Sequence, residues 1–138
     1  MSQVPQRLQE IVENFSFCEG QEKLEYLLEL SETLPPLPAW LHDQREKMDE
    51  VHECMTPVFM FAEQKNGKLH YHFDIPPESP TVRGFAAALQ QGVDGATAEE
   101  IKAIPSEFYL ETGLQEVLTA QRLNGIGAIL AHMKDLAA

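Results

Sequence analysis

Two of the 138 residues are cysteines, Cys18 and Cys54, and the second stands where a thiol could react. The stretch VHECMTPVFMFA (51–62) puts Cys54 between the polar pair His52-Glu53 and Met55-Thr56-Pro57. That places it on a turn just ahead of an apolar strand beginning near Val58. A structural cysteine would be more at home inside the apolar run, so this one reads as displayed. An accessible thiolate attacks disulfides, persulfides and electrophiles at a rate set by its ionised fraction, its nucleophilicity and its access. Asp49, Glu50 and Glu53 crowd the same segment. Nearby negative charge disfavours a thiolate, so a reactive Cys54 calls for a compensating cation. Cys18 follows Phe15 and Phe17 and reads as a small buried hydrophobe. The sharper alternative makes it a resolving thiol for Cys54 in a thiol-redox protein. A second cluster is HYHFD (70–74), where His70, His72 and Asp74 alternate as a 2-His-1-carboxylate metal site would require, with His52 as a further ligand. The plainer reading of that alternation is one hydrated face of a strand.

Twenty-two acids against ten bases give a formal charge of -12. That balance opposes nucleic acid and anionic membranes, and favours approach by a partner with a basic surface. With two cysteines and no CxxC pair there is no disulfide framework or zinc motif, and a reducing compartment fits. No apolar run reaches membrane-spanning length, and MSQVPQRLQE lacks the order of a signal peptide. The expectation is a soluble, cytoplasmic protein with one domain over 1–138.

The elements that must carry these residues are legible from periodicity. Leu8, Ile11, Val12 and Phe15 predict a helix over about Pro5 to Asn14. Leu24, Leu27, Leu28 and Ser31 predict a second over about Gln21 to Thr33, ended by LPPLP (34–38). Val58 to Glu63 and Lys68 to Ile75 flank Asn66-Gly67, a strong hairpin signal, and a short strand is expected over Met48 to Val51. Val82, Phe85, Ala86 and Leu89 form the apolar face of TVRGFAAALQQ. Thr97 and Glu100 make a capping box for a short helix closed by Pro105, and another short helix near Phe108 stops at Gly113. A last helix over about Ala120 to Leu136 should bury Leu123, Ile126, Leu130 and Met133. The order predicts an α+β fold, a small antiparallel sheet covered by helices.

Four segments in this order resemble the SufE family of sulfur-acceptor proteins: KLEYLLELSETLPPLP (23–38), VHECMTPVF (51–59), TVRGFAAAL (81–89) and FYLETGLQEVLTAQRLNGIGAIL (108–130). The departures are local. Glu53 and Thr56 stand where the family usually has Gly before the cysteine and Ser two residues after it. Phe59 stands for the strand's usual Trp, and the stretch between Asp74 and Val82 is about two residues longer, with prolines at 76, 77 and 80.

The resemblance implies a SufE/IscU-like fold and a protein that stimulates a cysteine desulfurase of the SufS or CsdA type without being an enzyme on its own. It implies that Cys54 accepts persulfide sulfur and relays it toward an iron–sulfur scaffold. Arg122 would support Cys54 through charge or loop geometry, Arg83 is a second candidate cation, and Asp74 belongs to the same implied set, with Glu78 the nearest counterpart of a further acid. The pyridoxal phosphate would be the desulfurase's. This chain has no cofactor of its own in that reading, and nothing in it resembles a lysine motif or phosphate-cradling loop. Whether the chain forms a homodimer is open. The competing expectations are a metal enzyme built on His70, His72 and Asp74, and the thiol-redox protein using Cys54 and Cys18. LPPLP is expected to be a rigid connection, with a proline-rich ligand as its alternative.

Overall fold

The computed structural model describes residues 5–53 and 56–137; Cys54 and Met55 lie outside them. The helices are α1 (Gln6–Ser16), α2 (Gln21–Ser31), α3 (Ala39–His42), α4 (Pro80–Val93), α5 (Ala98–Lys102) and α6 (Ala120–Leu136). The strands are β1 (Asp49–Glu50), β2 (Phe59–Lys65) and β3 (Lys68–Asp74), joined antiparallel in that spatial order. Single 3-10 turns occupy Arg45–Lys47, Phe108–Thr112 and Leu114–Glu116. The fold is α+β.

The hairpin forms because Asn66 (φ 54°) and Gly67 (φ 79°) both take left-handed conformations, which a two-residue primed turn demands. That turn sets the register: Met60 opposes Phe73, Ala62 opposes Tyr71, and Gln64 opposes Leu69. Met60, Leu69, Tyr71 and Phe73 are buried beneath the helices. The buried Tyr71 hydroxyl donates to the Met133 carbonyl at 2.6 Å, tying β3 to α6, and burial pushes its pKa well above the ordinary 10.

The other face pairs Phe59 with Asp74, Phe61 with His72 and Glu63 with His70. It is screened from outside the sheet. Trp40 of α3 meets Phe61 and His72 edge-on at 5.8 and 5.7 Å, and the Arg45 guanidinium lies 5.2 Å from the centre of the Phe59 ring. The alternating polar residues of β3 therefore sit under a partial lid, which moderates the picture of a plain hydrated face.

Helix α4 is the centre of the packing, with Val82, Phe85, Ala86 and Leu89 all buried. Two glycines let its neighbours approach. A Cβ on Gly84 would lie 2.2 Å from the Leu27 carbonyl oxygen, so α2 crosses there backbone against backbone; one on Gly92 would lie 2.5 Å from Leu8 Cδ1. Helix α5 opens with the expected capping box: Thr97 Oγ1 accepts from the Glu100 amide, and Glu100 Oε1 accepts from the Thr97 amide.

Some periodic positions are less buried than the sequence predicts. Leu28 is 50% exposed because the core-facing stripe of α2 runs through Lys23, Leu27, Leu30 and Ser31. Leu123 is half-buried, while Gly125 and Ile129 join Ile126, Leu130 and Met133 inside. Lys23 is the unforeseen core residue. Its Nζ donates to the Phe15 and Cys18 carbonyls, both at 2.8 Å, and so closes the carboxyl end of α1. Among the described residues no helix is long and apolar enough to cross a membrane.

Candidate functional site

The segment around Cys54 is pinned at its base. The Val51 amide donates to the Val58 carbonyl at 2.9 Å, continuing the β1–β2 ladder, and both side chains are buried. The chain therefore leaves the sheet after Val51 and re-enters it at Val58, next to its point of departure. Cys54 itself lies outside the described residues, and side-chain contacts hold the chain on either side of it. On the far side Thr56 Oγ1 shares a 2.8 Å hydrogen bond with Ser79 Oγ, at the amino end of α4. On the near side His132 of α6 holds two carboxylates at once: Nδ1 lies 2.5 Å from Asp49 Oδ2, and Nε2 lies 3.1 Å from Glu53 Oε1.

A hollow of about 330 Å³ opens beside Thr56. The first turns of α4 and α6 line it, through Ser79, Pro80 and Val82 on one side and Gln121 and Arg122 on the other. Unpaired backbone N–H groups make the amino ends of helices electropositive. Thr119 caps α6, accepting from the Arg122 amide at 3.3 Å, and so fixes that first turn. The Arg122 side chain is exposed and makes no ion pair among the described residues, while Glu78 lines the same hollow. Arg122 and Thr56 thus line one hollow although they stand 66 positions apart in sequence (122 − 56).

Arg83 goes elsewhere. Its Nη1 donates to the Ile75 carbonyl at 2.5 Å and its Nη2 to the Ser31 carbonyl at 3.4 Å, on the side of the fold facing Leu34–Leu37. There it joins the end of β3 to the end of α2. Asp74 forms an ion pair with Arg45, so its charge is already met on the sheet's outer face.

The histidines of HYHFD are also engaged singly. His70 Nδ1 lies 2.7 Å from Asp94 Oδ1, and His72 Nε2 lies 2.9 Å from Glu63 Oε1. The His72 hydrogen bond holds the Glu63 carboxyl below its ordinary 4.5, against a smaller opposing effect of burial. Among the described residues no three His, Cys, Asp or Glu side chains gather as a metal would need. Cys18 is half-buried rather than buried; its Sγ donates to the Asn14 carbonyl at 3.4 Å, because the chain turns back there to close α1.

Residues 9–137 match the sequence model of the SufE family, described as an Fe-S metabolism associated domain. The chain belongs to the SufE family. An uncharacterized SufE-like protein of Mycobacterium tuberculosis is 39% identical over 132 residues, covering 95% of this chain and 91% of that one. The sulfur acceptor protein CsdE of Escherichia coli K12 is 34% identical over 111 residues, covering 79% and 72%. Among solved structures, a hypothetical protein from Thermus thermophilus superposes with a TM-score of 0.84 at 34% identity, over 97% of this chain and 95% of the other. The segments that carry the SufE resemblance have identifiable structural work here. VRG supplies the Arg83 tie and the Gly84 crossing, and the Arg122 segment supplies the first turn of α6. The residue that sequence reasoning missed is His132. Its partners lie 83 and 79 positions away, and nothing local to AHMKD points to them.

Proposed function

We propose that this SufE-family chain accepts sulfane sulfur from a cysteine desulfurase on Cys54 and hands it on to iron–sulfur cluster assembly. The observation that carries the reading is the meeting of Arg122 and two helix amino ends at the hollow lined by Thr56, two residues beyond the cysteine. A thiolate and a persulfide are both anions, and both are favoured by positive potential. In a chain of net charge -12, an exposed arginine without an ion pair among the described residues supplies positive charge at that hollow.

In this reading the Cys54 thiolate attacks the outer sulfur of the desulfurase's Cys-S-SH. A bond forms between Cys54 Sγ and the sulfane sulfur, the partner's S–S bond breaks, and the partner cysteine leaves as thiolate. The transferred sulfur keeps its proton, and no external oxidant or reductant is consumed. A second thiolate then takes the sulfur from Cys54 by the same exchange. The pyridoxal phosphate that generates the persulfide belongs to the desulfurase, and this chain contributes the nucleophile and its setting. CsdE, named as a sulfur acceptor, supports the assignment.

The test is desulfurase turnover with the wild-type chain and with Cys54→Ser, together with intact-mass analysis after exposure to desulfurase and cysteine. Stimulation by the wild type alone, with one or more sulfur atoms added at Cys54, is expected. Equal stimulation by both proteins would reduce the role to docking.

A further inference from the structure

The amino-terminal arm of the cysteine segment is held by one side chain from the opposite end of the chain. His132 lies on α6 with a side chain 19% exposed, and it bridges Asp49 of β1 and Glu53, the residue bonded to Cys54. We propose that His132 is a positioning residue for Cys54: its imidazolium fixes Glu53 against α6 and cancels the negative charge that this glutamate would otherwise set beside the thiol. This deepens the sulfur-acceptor reading and rests on it.

Three observations carry the inference. First, the bridge is bidentate: both ring nitrogens are engaged, so the ring cannot turn without losing a partner. Second, two carboxylates on two nitrogens require both to be N–H donors, which only the charged ring provides. Third, Glu53 is bonded to Cys54 and shares its segment with Asp49 and Glu50, so the negative charge needing compensation is concentrated next to the cysteine. Burial works against the imidazolium, but the hydrogen bonds and charges of Asp49 and Glu53 outweigh it and raise the His132 pKa above 6.5. Glu53 is held below 4.5, first by a backbone hydrogen bond and then by His132. The other charged groups nearby are His52, which faces Glu50 at 3.8 Å, and on α6 itself Lys134, whose Nζ is committed to the Ile104 carbonyl.

The pH dependence follows in sign. With a raised pKa, the His132 contribution is complete below 6.5 and is lost as pH rises through the folded-state value. The Glu53 contribution is present above 4.5 and lost as pH falls through its depressed value. The bridge is therefore strongest between those limits and loosens on the alkaline side.

The experiment measures iodoacetamide alkylation of Cys54 across pH 6 to 9, read at the Cys54 peptide by mass spectrometry, in wild type, His132→Gln, Glu53→Gln and the double variant. Glutamine can keep a hydrogen bond to Asp49 while removing the charge. His132→Gln is expected to slow alkylation roughly threefold near pH 6 to 7, the scale of one unit charge acting through water between adjacent residues. The ratio should fall toward one as pH rises, because the wild-type imidazolium loses its proton as pH passes through its raised pKa. The double variant, which removes both the carboxylate and the imidazolium, should alkylate at about the wild-type rate. A His132→Gln profile that superposes on the wild type overturns the proposal. So does a double variant that stays as slow as His132→Gln, which would assign the histidine to Asp49 and the fold alone. Failure of the sulfur-acceptor reading is separate: it appears as no mass added to Cys54 by the desulfurase, whatever the alkylation profile.

Discussion

Arg122 separates two roles that a single arginine can have at the hollow beside Thr56. Its backbone is fixed by the Thr119 cap, but its guanidinium spans solvent and the hollow next to Thr56. Its loss should therefore change reactivity more than stability. Arg122→Ala is expected to slow sulfur uptake by Cys54 about two- to tenfold, as loss of one partly screened charge would. The melting temperature should stay within about 1 °C, as for a surface substitution. A large fall in melting temperature would instead reveal a structural arginine. Lys23 is the opposite case. Its ammonium is buried against two carbonyls, and Lys23→Met takes the side-chain donor from the Cys18 carbonyl and leaves the Phe15 carbonyl with the Cys18 amide alone. A loss of about 2–3 kcal/mol is expected in urea titration, the scale of a buried hydrogen bond to a charged group.

At the scale of elements, the strongest constraint is the crossing of α2 over α4. Gly84→Ala would place a methyl within 2.2 Å of the Leu27 carbonyl oxygen, and backbone on both sides leaves nothing flexible to yield. Destabilisation of about 1–3 kcal/mol or more is expected, with the helices forced apart. The same change at Gly95, where no atom lies within 4 Å, would cost only the strain of its left-handed backbone. Elements whose signal is local were the legible ones. Asn66-Gly67, the Thr97/Glu100 box and the Gly113 stop all occur as read, because the residues that determine them lie within a few positions of one another. Burial along α2 was less legible. Its stripe includes a lysine, and only the folded chain shows carbonyls waiting for that lysine at the end of α1. The candidate site divides the same way. Cys54 was conspicuous from its neighbours, whereas His132 depends on contacts that no spacing encodes. Arg83 is held by the Ile75 and Ser31 carbonyls and Asp74 by Arg45, contacts that no spacing in the sequence encodes.

For the molecule as a whole, a formal charge of -12 is a standing self-repulsion. Raising ionic strength from about 0.01 to 0.15 M shortens the screening length from roughly 30 to 8 Å and should stabilise the chain. A rise in melting temperature of about 3 °C per kcal/mol recovered is expected in a calorimetric salt series. A flat series would mean that opposite charges are already interleaved well enough to cancel. The pinned base of the cysteine segment has a different consequence at this scale. Val51 and Val58 are fastened to each other, so Cys54 is tethered three residues from one anchor. A fully extended tether of that length reaches about 10 Å. Such a leash cannot swing cargo between two stations on the surface of a larger assembly. On the sulfur-acceptor reading, supplier and recipient must each come to the same berth, and only one can occupy it. Delivery then alternates with departure, and an excess of recipient should slow loading by occupying the supplier's place.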